Sequence, residues 1–418
     1  MTPPDLPTLR DLDTRDPLAS KRAEFLLPGG VIYLDGNSLG VLPARVPARV
    51  EKVVREEWGV DLIRSWNKHG WIDLPARVGA RIARLIGADA DEVVAADSTS
   101  VNLFKVLSAA LHLAARKDSR RRVIVAEEDN FPTDLYIAQG LAELLGEARA
   151  ELRLVSPAGV ADAVDDETAV LMLTQVDYRT GERHDLPAVT RRAQERGALT
   201  LWDLAHSAGA FPVDLNGAGA DFAVGCGYKY LNGGPGAPAF LYVARRHHAS
   251  APNVLSGWMG HASPFEFTSR YAGASGIRQY QTGTPSILGL SALDAALEVF
   301  EDVDMGQVRE KSLSLTRIFI ELMRPLCARH GFRLVTPGDD ERRGSQVSLA
   351  HPHGYEIMQA LITAGVIGDF RAPDILRFGF TPLYTSHEDV WHAVQTLETV
   401  MREGRWQDAR HAERNAVT

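Results

Sequence analysis

Asp203 and Lys229 lie 26 residues apart, the first closing the apolar run Leu199-Thr-Leu-Trp202 and the second set in Gly227-Tyr228-Lys229-Tyr230. A lysine amine can form a Schiff base with an aldehyde, and a carboxylate can keep a pyridine nitrogen protonated so that its ring accepts electrons. Together they suit the two working ends of pyridoxal phosphate (PLP), with His206 three residues after Asp203 placed to bond the carboxylate or stack on a flat ring. Taken alone, an Asp after a strand is more often a turn or helix cap, and a Lys is more often a solvated charge. The spacing and the small, apolar approach Phe222-Ala-Val-Gly-Cys-Gly227 favour a partly desolvated, reactive amine.

Other segments offer the remaining contacts. Asp97-Ser-Thr-Ser100 precedes a helical pattern, so Thr99 and Ser100 combine hydroxyls with free amides at a helix N-terminus, where phosphate binds readily. A plain cap is the simpler use of those hydroxyls. Phe131, in Asn130-Phe-Pro-Thr-Asp134, reads as core or as a ring-stacking partner. Gly-rich loops carry Trp258 and Thr284 as candidate phosphate contacts, although either alone reads as structural. Arg377 is the only charge in Ile375-Leu-Arg-Phe378 and faces either the surface or a substrate α-carboxylate, which arginine can bind with two parallel hydrogen bonds.

Elements at regular intervals must bring these residues together. Strands are expected at 31–34, 93–96, 123–126, 152–155, 169–173, 199–202 and 222–224, separated by helical patterns, which predicts an α/β fold with a mostly parallel sheet. Ligands in such sheets bind at the carboxyl ends of the strands, where Asp97, Thr174 and Asp203 fall. Helices are expected over 8–26, 45–58, 73–87, 290–329 and 387–403, with strands at 332–335, 346–349 and 375–378 in a smaller α+β C-terminal domain. The expected division is 1–60 as an N-terminal segment packing with the small domain, 61–290 as the PLP-binding domain and 291–418 as the small domain. Residues from about 404 are charged and expected to fray.

The 418 residues are 45% hydrophobic and 24% charged, the balance of a globular chain with a large core. A net charge of −9 disfavours nucleic acid and anionic membrane as partners. Cys226 and Cys327 form no CxxC or Cys/His cluster, so neither a disulfide framework nor a metal site is expected, and a reducing cytoplasm fits. The opening Met1-Thr-Pro-Pro-Asp-Leu-Pro lacks a basic start before an apolar run.

The whole chain resembles the kynureninases, fold-type-I PLP enzymes of the aspartate-aminotransferase-like class that hydrolyse kynurenine in tryptophan degradation. The blocks that carry the likeness include Gly36-Asn-Ser-Leu-Gly40, Ser100-Val-Asn-Leu103, Asn130-Phe-Pro-Thr-Asp-Leu-Tyr136, Tyr178-Arg-Thr-Gly181, Trp202-Asp-Leu-Ala-His-Ser-Ala-Gly209, Cys226-Gly-Tyr-Lys-Tyr-Leu-Asn-Gly-Gly-Pro-Gly236 and Gly257-Trp-Met-Gly-His261. The resemblance implies a Schiff base on Lys229, Asp203 on the pyridine nitrogen with His206 in support, and Phe131 stacked on the ring. It also implies phosphate contacts from Thr99, Ser100 and Tyr228, with Asp134 and Thr174 nearby, and with Trp258 and Thr284 supplied by the neighbouring subunit of a homodimer. Ser38, Trp66, Thr284 and Arg377 would meet substrate. Animal-type members carry Asn at the position of Thr284 and His at that of Trp66, so this chain has the bacterial pattern, implying L-kynurenine as substrate, with 3-hydroxykynurenine as a second candidate. An aminotransferase, a cysteine desulfurase or a silent PLP-binding protein are the alternatives.

Overall fold

Strands that are apolar at every position need two covered faces, and the middle of the chain provides them. The computed structural model describes residues 4–414. After the short β1 (Ile32–Tyr33) come β2 (Val93–Ala95), β3 (Val123–Glu127), β4 (Glu151–Val155), β5 (Thr168–Thr174), β6 (Leu199–Asp203), β7 (Phe222–Gly225) and β8 (Phe240–Val243). β2 to β8 form a seven-stranded sheet in the order β2-β8-β7-β6-β5-β3-β4. Neighbours from β7 to β4 run parallel, while β8 is antiparallel to both β7 and β2. Successive residues feed opposite cores: Val123 and Val125 enter one, Ile124 and Ala126 the other. Because β2 to β7 point the same way, the residues just beyond β2, β3, β5 and β6 share one edge of the sheet.

A third core lies in the C-terminal part, where β9 (Arg333–Leu334), β10 (Gln346–Ala350), β12 (Asp369–Arg371) and β13 (Ile375–Gly379) form an antiparallel sheet ordered β12-β13-β10-β9. β11 (Val366–Ile367) pairs instead with β1, in parallel. The N-terminal helix Leu6–Arg15 is pinned to the start of helix His387–Arg402, because Asp13 accepts from the His387 and Glu388 amides at 2.8 and 2.9 Å. The chain then crosses to the large sheet, where the Gly40 amide donates to the Tyr228 carbonyl at 2.8 Å.

Several expected elements differ. The helix expected over 8–26 ends at Arg15, since Asp16-Pro17 follows and proline disfavours helix in the residue before it. The one expected over 45–58 widens from Val53 into π-type turns that run to Asp61. The long helix from 290 is two, Ile287–Leu297 and Met305–His330, with Asp304 capping the second through the Gly306 amide at 2.8 Å. β8, β11 and β12 are additional to the expected strands. Residues after 404 do not fray as expected: Trp406 packs on the third core and His411 is buried. Residues 415–418, included in that expectation, lie outside the described residues.

Phe319 is 1% exposed and meets the rings of Phe378 and Phe380 at 5.0 and 5.3 Å. Phe319→Ala is expected to cost about 3–5 kcal/mol, the loss typical of a buried aromatic, seen as a lower urea midpoint at unchanged slope. A loss under about 1 kcal/mol would place Phe319 outside the core.

Candidate active site

The shared edge of the large sheet opens into a cavity of about 280 Å³. β6 delivers Asp203, β5 delivers Thr174, and the loop after β3 delivers Phe131 and Asp134. The loop after β7 brings Tyr228 and Lys229, and helix Thr99–Lys117 points its N-terminus, with Thr99 and Ser100, at the same space. The cap of that helix is Ser98, whose hydroxyl accepts from the Val101 amide at 3.3 Å. Thr99 and Ser100 are therefore not spent on capping, and the first-turn amides favour an anion.

Lys229 comes from a loop packed against Gly40 so closely that a Cβ on Gly40 would lie 2.3 Å from the Lys229 carbonyl oxygen. Only glycine fits there. The Lys229 amine sits 5.9 Å from the centroids of both the Phe131 and Tyr228 rings. Among the described residues it forms no hydrogen bond. Burial is the main cause that lowers its pKa, so a larger share of it is the neutral, nucleophilic amine.

Asp203 accepts from the Ala205 amide at 2.7 Å and is hydrogen-bonded to Asp134. Two facing carboxyl groups can share a hydrogen bond only if one holds a proton. Burial raises both pKa values, and the nearby Asp203 charge pushes Asp134 further up. Thr174 donates to Asn130 and lies within 3.4 Å of Asp134, while Asn130 accepts from the Phe131 amide at 2.7 Å and so orients that ring. His206 is 3% exposed, reaches the Asn37 backbone rather than Asp203, and has a buried Nδ1 without a partner. Burial holds it well below the usual imidazole range, hence neutral. Tyr228 is half-buried and raised for the same reason, so it keeps its proton.

These features fit PLP: a desolvated amine for the aldehyde, a buried carboxyl pair for the ring nitrogen, an imidazole on the cavity wall with one nitrogen free among the described residues, and a helix N-terminus for phosphate.

Arg377 does not face the surface. It is 2% exposed and paired with Asp369, its cross-strand partner. It also donates to the Tyr178 carbonyl at 2.7 Å and to Ser38 at 2.8 Å, and Ser38 donates to Asp369 at 2.6 Å. This network meets the cavity at Tyr178, whose ring lies edge-on to Phe131 at 5.3 Å. Asp369 was missed because its meaning lies in a pairing across a hairpin. Three candidates lie elsewhere: Trp66 against Trp71, Trp258 against Phe265 and Phe267, and Thr284 in a second cavity with Asp97 and Gln281.

A chain from Deinococcus radiodurans named Kynureninase is 60% identical over 404 residues, covering 96% of this chain and 97% of that one. The chain belongs to the kynureninase family. A kynureninase from Burkholderia mallei is 55% identical over 97% of this chain and 98% of its own, and the family model described as "Kynureninase C-terminal domain" matches residues 308–397. Among solved structures, the Escherichia coli cysteine desulfurase CsdA superposes with a TM-score of 0.75 at 21% identity, covering 92% of this chain and 98% of its own. C-DES with glycine covalently linked to its PLP cofactor gives 0.76 at 16%, covering 90% and 99%. These likenesses show the fold, and it is the fold type I expected from sequence.

Asp35, with a buried Oδ1 lacking a partner, is pushed up to about 7 by burial and then by Asp369. Unfolded, it would lose its proton near pH 4. Between those values the folded state binds the extra proton, so folding stability falls as pH rises through this window and levels off above it. Asp35→Asn removes that slope, and its melting temperature relative to the parent is expected to rise from pH 5 to pH 8. A difference constant with pH would mean that Asp35 is ionised throughout.

Proposed function

We propose that this chain is a PLP-dependent hydrolase that cleaves the Cβ–Cγ bond of L-kynurenine with water, giving anthranilate and L-alanine. The observation that carries the reading is the single cavity that joins the Lys229 amine, the Asp134–Asp203 pair and the N-terminus of helix Thr99–Lys117, in a chain of this family. PLP, when bound, supplies an aldehyde for the amino group and a ring that takes up electrons from the substrate's α-carbon.

The protein's own groups do the rest. Lys229, desolvated, takes the proton from Cα and returns one. Asp203, with Asp134 behind it, holds a proton at the ring nitrogen. Phe131 and His206 would hold the ring, and Thr99 and Ser100 would bind its phosphate. Tyr228 retains its proton and is the acid that protonates the β-carbon once anthranilate has left. Water adds to the side-chain ketone before the bond breaks. Ser38 and Arg377 border the substrate's carboxylate, and Trp66 and Thr284 favour the unhydroxylated ring.

The active unit we infer is a homodimer in which Trp258 and Thr284 complete the partner's site. In support, both lie away from their own Lys229 cavity, and the Trp258 loop exposes Phe265 and Phe267 by 59 and 77%. A cytoplasmic location suits the two free cysteines. Cys226 is buried with its thiol pKa raised, and Cys327 sits within a helix. Neither is the mobile nucleophile a desulfurase needs. Among the described residues no helix is long and apolar enough to cross a membrane.

PLP-loaded protein given L-kynurenine is expected to release anthranilate and alanine in equal amounts. Lys229→Ala is expected to abolish turnover and the borohydride-reducible PLP adduct; turnover that persists would remove Lys229 from the chemistry. Tyr228→Phe is expected to slow kcat by roughly 100-fold or more, with anthranilate release itself retained in a single turnover. An unchanged kcat would exclude Tyr228 as the acid.

A further inference from the structure

Lys105 lies on helix Thr99–Lys117 and is 0% exposed, and no step of the chemistry uses it. Taking an ammonium out of water is costly unless its donors are met. Its Nζ donates to the Asp97 carboxylate and, at 2.6 Å, to the carbonyl of Tyr280, 175 residues along the chain.

The two partners differ in what else holds them. Asp97 forms the turn from β2 into the helix, with a φ of 47°. The large sheet fixes that turn: the Ala96 amide donates to the Ala239 carbonyl at 2.8 Å, and the Ala239 amide donates to the Asp97 carbonyl at 2.9 Å. The helix start has anchors of its own in the Ser98 cap and in Asn102, which donates to the Ala96 carbonyl at 2.7 Å. Tyr280 instead ends a short turn, Gly276–Tyr280, and residues 281–286 beyond it form neither helix nor strand.

Those residues carry Thr284, and they also hold the Trp258 turn. The Met259 amide donates to the Thr282 carbonyl at 3.3 Å, and Gly257 is pressed against that carbonyl so closely that any Cβ would collide with it. One buried amine therefore ties the rigid edge of the sheet to the root of both segments assigned above to the partner's site.

We propose that Lys105 is a positioning residue for the neighbouring subunit's active site: through the Tyr280 carbonyl it holds the loop that presents Thr284 and Trp258 across the interface. The assignment rests on the shared-site homodimer proposed above. Lys105 lines neither the Lys229 cavity nor the cavity beside Thr284, so it acts only through where the loop stands.

A brace that serves its own chain and a brace that serves the partner give opposite results in mixed dimers. Two PLP-loaded mixed dimers are made by co-expression with different tags, each containing one Lys229→Ala and one Lys105→Met, so that each has a single working Lys229. With both substitutions in the same chain, the working site belongs to the unaltered chain and receives its loop from the altered one. Its kcat/KM for L-kynurenine is expected to fall roughly 10- to 100-fold below that of a Lys229→Ala chain paired with an unaltered chain, the scale of loss that a small misplacement causes. With the substitutions in different chains, the working site receives its loop from a chain that keeps Lys105, and kcat/KM is expected to stay at the reference value.

A merely structural lysine would lower both dimers alike, since their composition is the same, and a loss in the second dimer alone would place the effect in the chain that carries Lys105. Either result overturns the proposal. If Lys105→Met does not assemble, Lys105→Gln, which keeps a donor, is carried through the same pair with the same outcomes. Thr284→Ala in the same two arrangements tests the shared site by itself. A loss confined to its own chain's site removes the shared-site reading and this proposal with it, while a loss across the interface beside unchanged Lys105 dimers removes this proposal alone.

Discussion

An amine and two carboxyl groups held out of water in one cavity is the constraint around which this molecule is arranged. Burying isolated charges is costly, and groups in such places neutralise unless they find partners. The shifts at Lys229, Asp134 and Asp203 all run toward the neutral form. A bound cationic ring nitrogen would reverse that balance at the carboxyl pair. Binding of such a ring would stabilise the folded chain by mass action.

Positioning is left to the stiffest part of the fold. Asp203 and Thr174 end adjacent parallel strands in register, and their neighbours are buried on both faces of the sheet. Lys229 comes instead from a loop, and the segment through Gly40 holds that loop from outside. The same segment carries Ser38, which bonds both Asp369 and Arg377. A few residues of the N-terminal part thereby link the Lys229 loop to the C-terminal hairpin.

Much of this was legible in the sequence, for physical reasons. Doubly buried strands read as apolar runs, as over 123–126, and the turn after each strand of a parallel sheet points to one edge, so Thr174 and Asp203 converge on the Lys229 cavity, whereas Asp97, expected with them, lines the second cavity. The blocks around Lys229 and Gly36 sharpened that to a family. What stayed hidden was set by contacts between distant residues. The Asp369–Arg377 pairing depends on a hairpin register, and an arginine in an apolar strand looks equally suited to surface or interior until its partner is found. Asp134 facing Asp203 is likewise invisible in spacing, since 69 residues separate them. Short strands such as Val366–Ile367 carry too few residues for any period to emerge.

The most direct test of the buried carboxyl pair as the seat of a cationic ring is the affinity of the cofactor-free protein for PLP, compared between the parent and Asp203→Asn with Lys229 left intact. The expected result is a dissociation constant about 10- to 100-fold weaker in the variant, the loss of one charge-assisted hydrogen bond. Equal affinities would contradict it, and would mean that the ring nitrogen finds its partner somewhere other than Asp203.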